Sequence, residues 1–197
     1  QDDIELFSKL YFYDGEIRLV PNGIDDFAIP KPKVSGNDVV FIGSAHRPNV
    51  VAAEFIATKL APALPEYQFH IIGTCLAPER SQGNLVVHGP VDEAAKLALF
   101  QNACASVNPM EDGGGSSLKI VDLAASGVPI LSTTMGVRGF GMVDGTHYLS
   151  FSLDTASDDI SRHLADVAGL ERSASLAAEH IKSCYTWSVI AASMAEV

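Results

Sequence analysis

From Asp38 onward the sequence alternates between two kinds of segment. Short apolar runs recur: "DVVFIGS" (38–44), "QFHIIG" (68–73), "NLVVHG" (84–89), "CASVNP" (104–109), "VPILST" (128–133) and "HYLSF" (147–151). Between them lie longer stretches with helical spacing. "NVVAAEFIATKLAPAL" (49–64) follows Pro48, and "VDEAAKLALFQNA" (91–103) has Asp92 placed as its cap. Another opens near Ser116, and further helices close the chain. Strands that are apolar on both faces, alternating with helices, belong to a parallel sheet covered on both sides. The pattern therefore predicts an α/β domain, a Rossmann-like doubly wound sheet of about six parallel strands. In such sheets ligands sit beyond the carboxyl ends of the strands, near the point where strand order switches. The runs end in Gly43-Ser44, Gly73-Thr74, Gly89-Pro90, Asn108-Pro109 and Ser132-Thr133, small residues that let a ligand approach the backbone.

The flanks read differently. "IELFSKLYFY" (4–13) is amphipathic, "IRLV" (17–20) reads as a brief strand, and "PNGID" (21–25) as a tight turn. "AIPKPKVSGND" (28–38) is an irregular connector rich in Pro and Gly. The resulting division is 1–24 as a linker or remnant, 25–184 as the α/β domain and 185–197 as a closing helix, "YTWSVIAASMAEV". The chain starts on Gln and shows no signal-peptide pattern. The expectation is a piece of a longer protein.

Composition narrows the chemistry. No apolar run approaches the ~18 residues of a membrane span. Net charge is −11, and Lys and Arg form no cluster, which argues against a nucleic-acid surface. An anionic ligand must then be held by local devices: backbone amides, a helix end, or one or two cations. Three cysteines without CxxC spacing indicate reduced thiols and a cytosolic setting, and the six histidines show no metal-binding spacing. The first strand is followed by "GSAHRPN" rather than GxGxxG, and no GxxxxGK[ST] occurs, which sets aside dinucleotide dehydrogenases and P-loop ATPases.

The most informative stretch is "EDGGGSSLKIVD" (111–122). Three glycines at a strand-to-helix junction let the backbone turn its amides toward an anion, and the first amides of a helix lack internal partners. Ser116, Lys119, Asp122 and Ser126 recur along one side of an otherwise apolar helix. Lys119 could neutralise phosphate charge. Asp122 lies about 9 Å beyond Ser116, at about 1.5 Å per residue, roughly the step from a diphosphate to a ribose. The residues leave a plainer alternative open: a Gly-rich loop, a cap at Ser116 and a local Lys119–Asp122 pair.

In sequence order, "VPNGID", "FIGSAHRPNVVAAEFI", "HIIGT", "NLVVHGPVDE", "VNPMEDGGGSSLKIVDLAASGVPILSTTMGVRGF" and the terminal "YTWSVIAASM" resemble the C-terminal half of family 4 glycosyltransferases. The likeness is to the bacterial branch with a "GGGTRLKILEAMA" segment. The resemblance implies the GT-B fold, two Rossmann-like domains around a cleft, with the C-terminal one binding a nucleoside-diphosphate sugar. It implies a retaining transferase that needs no metal. Its acceptor, a glycan or lipid-linked molecule, would be bound by an N-terminal domain. The setting implied is cytoplasmic, with peripheral association at the inner membrane face. The closing helix would pack toward the N-terminal domain.

By motif, Gly43 and Ser44 would sit near the phosphates, and Gly73 and Val91 near the base. Gly113, Gly114, Gly115, Ser116 and Ser117 would meet the diphosphate or sugar, with Lys119 beside them. Asp122 takes the place of the ribose-binding glutamate, one methylene shorter. The wider family carries a second glutamate eight positions earlier, with seven residues between the two, and that place is Gly114. Glu111 is the candidate to serve the sugar catalytically, with Asp112 beside it. The branch's arginine before "LK" is Ser117, so Arg47 either supplies the missing charge or is a solvated loop residue. These departures keep two other readings in view: a non-catalytic GT-B-like interaction module, and half of a sugar-nucleotide epimerase.

Overall fold

A computed structural model describes residues 2–15, 17–31 and 34–195. Residues 32–33 of the connector and the last two of the closing helix lie outside them. Six parallel strands make a single sheet in the order β3-β2-β1-β4-β5-β6. In chain order the elements are α1 (Asp2–Tyr11), β1 (Asp38–Gly43), α2 (Arg47–Phe55), α3 (Ala61–Ala63), β2 (Gln68–Gly73) and β3 (Leu85–Gly89). There follow α4 (Glu93–Asn102), β4 (Ala103–Asn108), α5 (Lys119–Ala125), β5 (Ile130–Ser132), β6 (Leu149–Ser150), α6 (Ala156–Ala165), α7 (Val167–Tyr185) and α8 (Trp187–Ala195).

Each central strand sends alternate side chains to opposite layers. Val39 and Phe41 of β1 join Ala53, Ile56, Leu60 and Ile160 on one face. Val40 joins Phe100, Ile120, Leu123, Ala177 and Ile181 on the other. Both faces are therefore dry, which is why the strands read as continuous apolar runs. A π-helical stretch, Ile56–Leu60, links α2 to α3. It lies just ahead of Pro62, which has no N–H for the helical ladder. Asp92 caps α4 as expected, accepting from the Ala95 amide at 2.8 Å.

Three expectations need correcting. Residues 17–20 form no strand; the pairing in this region is instead the parallel bridge Ile24↔Thr186. There the Ile24 amide donates to the Tyr185 carbonyl and the Trp187 amide to the Ile24 carbonyl, both at 2.9 Å. The apolar character of "IRLV" thus does not mark sheet membership: Leu19 and Val20 are exposed. β5 and β6 are shorter than their apolar runs. The helix after the glycines starts at Lys119 rather than near Ser116 and is 7 residues long.

Between β1 and β4 the chain reverses its direction of travel across the sheet, so the crevice favoured by this architecture opens at the ends of those strands.

Candidate functional site

A cavity of about 710 Å³ lies at that switch point. Its wall takes in the ends of β1 and β2, the glycine loop and the first turns of α5. The main chain closes up tightly on one side. Gly73 has φ +102°, and a Cβ there would lie 2.2 Å from the Gly43 carbonyl oxygen, so no other residue fits. That carbonyl accepts from the Thr74 amide at 3.0 Å. A Cβ at Gly43 would come within 2.9 Å of Asn49 Cβ; the bare glycine lets Asn49 approach.

Asn49 matters because it holds Lys119. Lys119 Nζ donates to Asn49 Oδ1 at 2.8 Å and lies 3.5 Å from Asn108 Oδ1, with the Phe41 ring 4.3 Å away. No carboxylate pairs with it among the described residues, and the Lys119–Asp122 pair of the plainer alternative does not form. Burial pushes the Lys119 pKa down to about 8; Cys75 opposes that shift and Arg138 adds to it. A lysine held this way carries a proton at neutral pH that burial disfavours and that a bound anion would stabilise.

Asp122 turns the other way. Its Oδ2 accepts from Lys96 Nζ at 3.2 Å, and Lys96 also meets Glu93 at 2.9 Å. The Asp122 side chain remains 44% exposed and lines the cavity, so it keeps acceptor capacity toward a ligand.

The glycine loop divides into separate roles. The Gly113 amide is taken up by Asp112 Oδ1 at 2.7 Å and the Ser117 amide by the Arg138 carbonyl at 3.1 Å. The amides of Gly114, Gly115 and Ser116 donate to no other group among the described residues. A Cβ on Gly114 or Gly115 would meet nothing within 4 Å. Gly113 is constrained by a neighbour instead: its Cβ would sit 2.3 Å from Arg138 Nη2. With α5 starting late, the free donors belong to the loop rather than to a helix end.

Of the residues singled out from sequence, Gly43, Ser44, Gly73, Gly114, Ser116, Ser117, Lys119 and Asp122 converge on the cavity. Gly113 and Gly115 lie in the same loop but outside the lining. Arg47 opens α2 and is exposed, Val91 packs against the α4–α5 side of the core, and Glu111 and Asp112 are exposed ahead of the loop; none lines the cavity. Ser126 lines a separate hollow with Pro30, Leu97 and Phe100. Sequence reasoning missed Gly23, Ile24, His46, Asn49, Met110 and Arg138 in the lining. Asn49 looked like a helix-start residue, and nothing in "GVRGF" marked Arg138.

The sequence of residues 36–166 matches the family described as "Glycosyl transferases group 1". No curated protein sequence matches the chain. Among solved structures, a sucrose-phosphate synthase from Thermosynechococcus elongatus superposes with TM-score 0.72 at 19% identity, over 100% of this chain and 55% of that one. A TarM variant from S. aureus, in complex with Fondaparinux, alpha-GlcNAc-glycerol and UDP, gives TM-score 0.74 at 16% identity, over 98% of this chain and 42% of that one. The C-terminal domain of LpcC from Francisella tularensis, a glycosyl transferase group 1 family protein, gives 0.62 at 12% identity, over 84% of this chain and 100% of that one. At these identities the likeness establishes the fold. The chain spans about half the length of the synthase and less of TarM. Among the described residues no helix is long and apolar enough to cross a membrane.

Proposed function

Given that the chain belongs to the group 1 glycosyl transferases, we propose that its switch-point cavity is the donor site, binding a nucleoside-diphosphate sugar for a retaining transfer. One observation carries the reading. Three unengaged loop amides and a partly buried lysine without a carboxylate partner line or border the same cavity, in a protein whose net charge is −11. Such a cluster suits a diphosphate.

Asp122, reached along the same wall, accepts from the ribose hydroxyls. When the bond between the anomeric carbon and the diphosphate oxygen breaks, negative charge grows on the leaving phosphate. Lys119 and the unengaged Gly114–Ser116 amides at the cavity would stabilise that charge, which lowers the barrier. The protein's own cations supply this charge, so the donor is held without a metal, and a chelator leaves affinity unchanged. The acceptor, a glycan or lipid-linked molecule, meets the donor from a further domain. Glu111 reaches the sugar only from the rim; Glu111→Gln lowers transfer and leaves diphosphate affinity intact if it acts there.

Calorimetric titration with UDP, GDP and ADP tests the proposal. One of them binds, and the matching nucleoside binds far more weakly. Equal affinity for nucleoside and nucleoside diphosphate would remove the diphosphate from the site. The TarM complex with UDP supports a uridine donor as the first to try.

A further inference from the structure

The segment "GVRGF", after β5, lies 17 or more residues beyond Lys119, at the end of the longest stretch that carries the family resemblance, and nothing in the sequence singled out its arginine. Yet its arginine grips the glycine loop at two places. Arg138 Nη2 donates to the Gly114 carbonyl at 3.0 Å, and the Arg138 carbonyl accepts from the Ser117 amide at 3.1 Å. Nη1 is anchored on the Met135 carbonyl at 2.9 Å. Behind it, Gly139 at φ +93° brings the backbone so near that a Cβ would lie 2.8 Å from Ser116 Cα. Gly113 is bare because the guanidinium occupies the space of its side chain.

The charges are unusual. Arg138 and Lys119 line the same cavity and carry like charges; burial is the main cause of the lowered Lys119 pKa, and Arg138 adds a smaller part. Neither has a carboxylate partner among the described residues; both are held by amide and carbonyl oxygens, and the buried Arg138 Nε is unpartnered. Two like charges brought together at a partly buried wall, with no acid between them, lack their counter-charge.

We infer that Arg138 is a diphosphate-binding residue of the donor site. It supplies from the β5 side the cation that Ser117 does not carry in the loop, and it holds the glycine loop in its binding shape. This rests on the donor-site reading above. Arg47, the other cation weighed for this role, is exposed and outside the lining. Nη1 and Nη2 each keep one N–H beyond their carbonyl bonds for phosphate oxygens, and a ligand bearing two phosphates sits between the guanidinium and Lys119.

The test compares the protein with Arg138→Gln and Arg138→Lys, each checked by thermal melting, in titrations with UDP, GDP and ADP and with the parent nucleosides. Glutamine keeps an amide donor for the Gly114 carbonyl but removes the charge. Arg138→Gln weakens diphosphate binding by about ten- to a hundred-fold and leaves nucleoside binding unchanged; Arg138→Lys restores most of the loss. Diphosphate affinity equal to wild type in Arg138→Gln overturns the assignment while leaving the donor site standing. Failure of the unaltered protein to bind any of the three diphosphates overturns the donor site itself.

Discussion

Raising the pH through 8 should weaken nucleoside-diphosphate binding, because the site's buried lysine loses its proton there. Burial lowers the Lys119 pKa from 10.5 to about 8, with Arg138 contributing. That difference corresponds to about 3 kcal/mol disfavouring the charged form in the ligand-free fold. A bound diphosphate between Lys119 and its surroundings restores the ordinary value. Ligand-free protein is then about half protonated at pH 8, while the complex stays protonated. Binding at pH 8 accordingly takes up about half a proton, and affinity is about tenfold lower at pH 9 than at pH 7. The ligand does not confuse the window, since a second phosphate pKa lies near 6 and the diphosphate is already ionised. Calorimetry in two buffers of different ionisation enthalpy measures the proton uptake directly. Lys119→Met binds weakly at every pH and takes up no proton. Affinity that is flat from pH 7 to 9 in the unaltered protein, with no proton exchanged, would refute the reasoning. The same group gives a stability signature. Its folded pKa lies below its unfolded one, so the unfolded chain holds more protons between about pH 8 and 10.5, and stability rises with pH across that range.

Other predictions follow from single contacts. Gly73→Ala forces a Cβ to 2.2 Å from the Gly43 carbonyl at φ +102° and costs about 2–4 kcal/mol in denaturant unfolding, whereas Gly114→Ala, with nothing within 4 Å, leaves stability unchanged to about 0.5 kcal/mol. Asp122→Asn keeps the melting temperature within a few degrees, since its pair with Lys96 is half-exposed, but removes the preference for ribose over 2′,3′-dideoxyribose diphosphates; equal discrimination by both proteins would dismiss the ribose role. His88 and His147 have pKa values lowered by burial and by His70 and His180 respectively. Folded protein therefore holds fewer protons than unfolded below about pH 6.5, and stability present above that pH is lost as it falls; melting at pH 5.5 against 7.5 shows the drop, and His88→Gln with His147→Gln together flatten it.

The parallel sheet was legible in the sequence because burial on both faces leaves a plain signature: unbroken apolar runs such as Val39–Ile42 and Ile71–Ile72. "IRLV" carries the same signature without the burial, since a run of four says nothing about which surface covers it. The glycine loop was legible as a place but not in its parts. Gly113 is bare for Arg138, Gly73 for the Gly43 carbonyl, and Gly114 and Gly115 for no neighbour in the fold. Local spacing left open a pair between Lys119 and Asp122 one turn on. The lysine instead reaches Asn49, 70 residues earlier in the chain, and Asp122 reaches Lys96. Contacts made across the sheet's switch point have no periodicity to betray them, and Arg138 entered the site by the same route.

The central claim, that the amides of Gly114–Ser116 together with Lys119 and Asp122 form a diphosphate-and-ribose cradle, is tested most directly by amide chemical-shift mapping during titration with UDP, GDP and ADP. The account predicts saturable shifts concentrated at Gly113–Asp122, with further shifts at Gly43, Thr74 and Arg138. Saturable shifts confined to another surface, or none with any of the three, would contradict it.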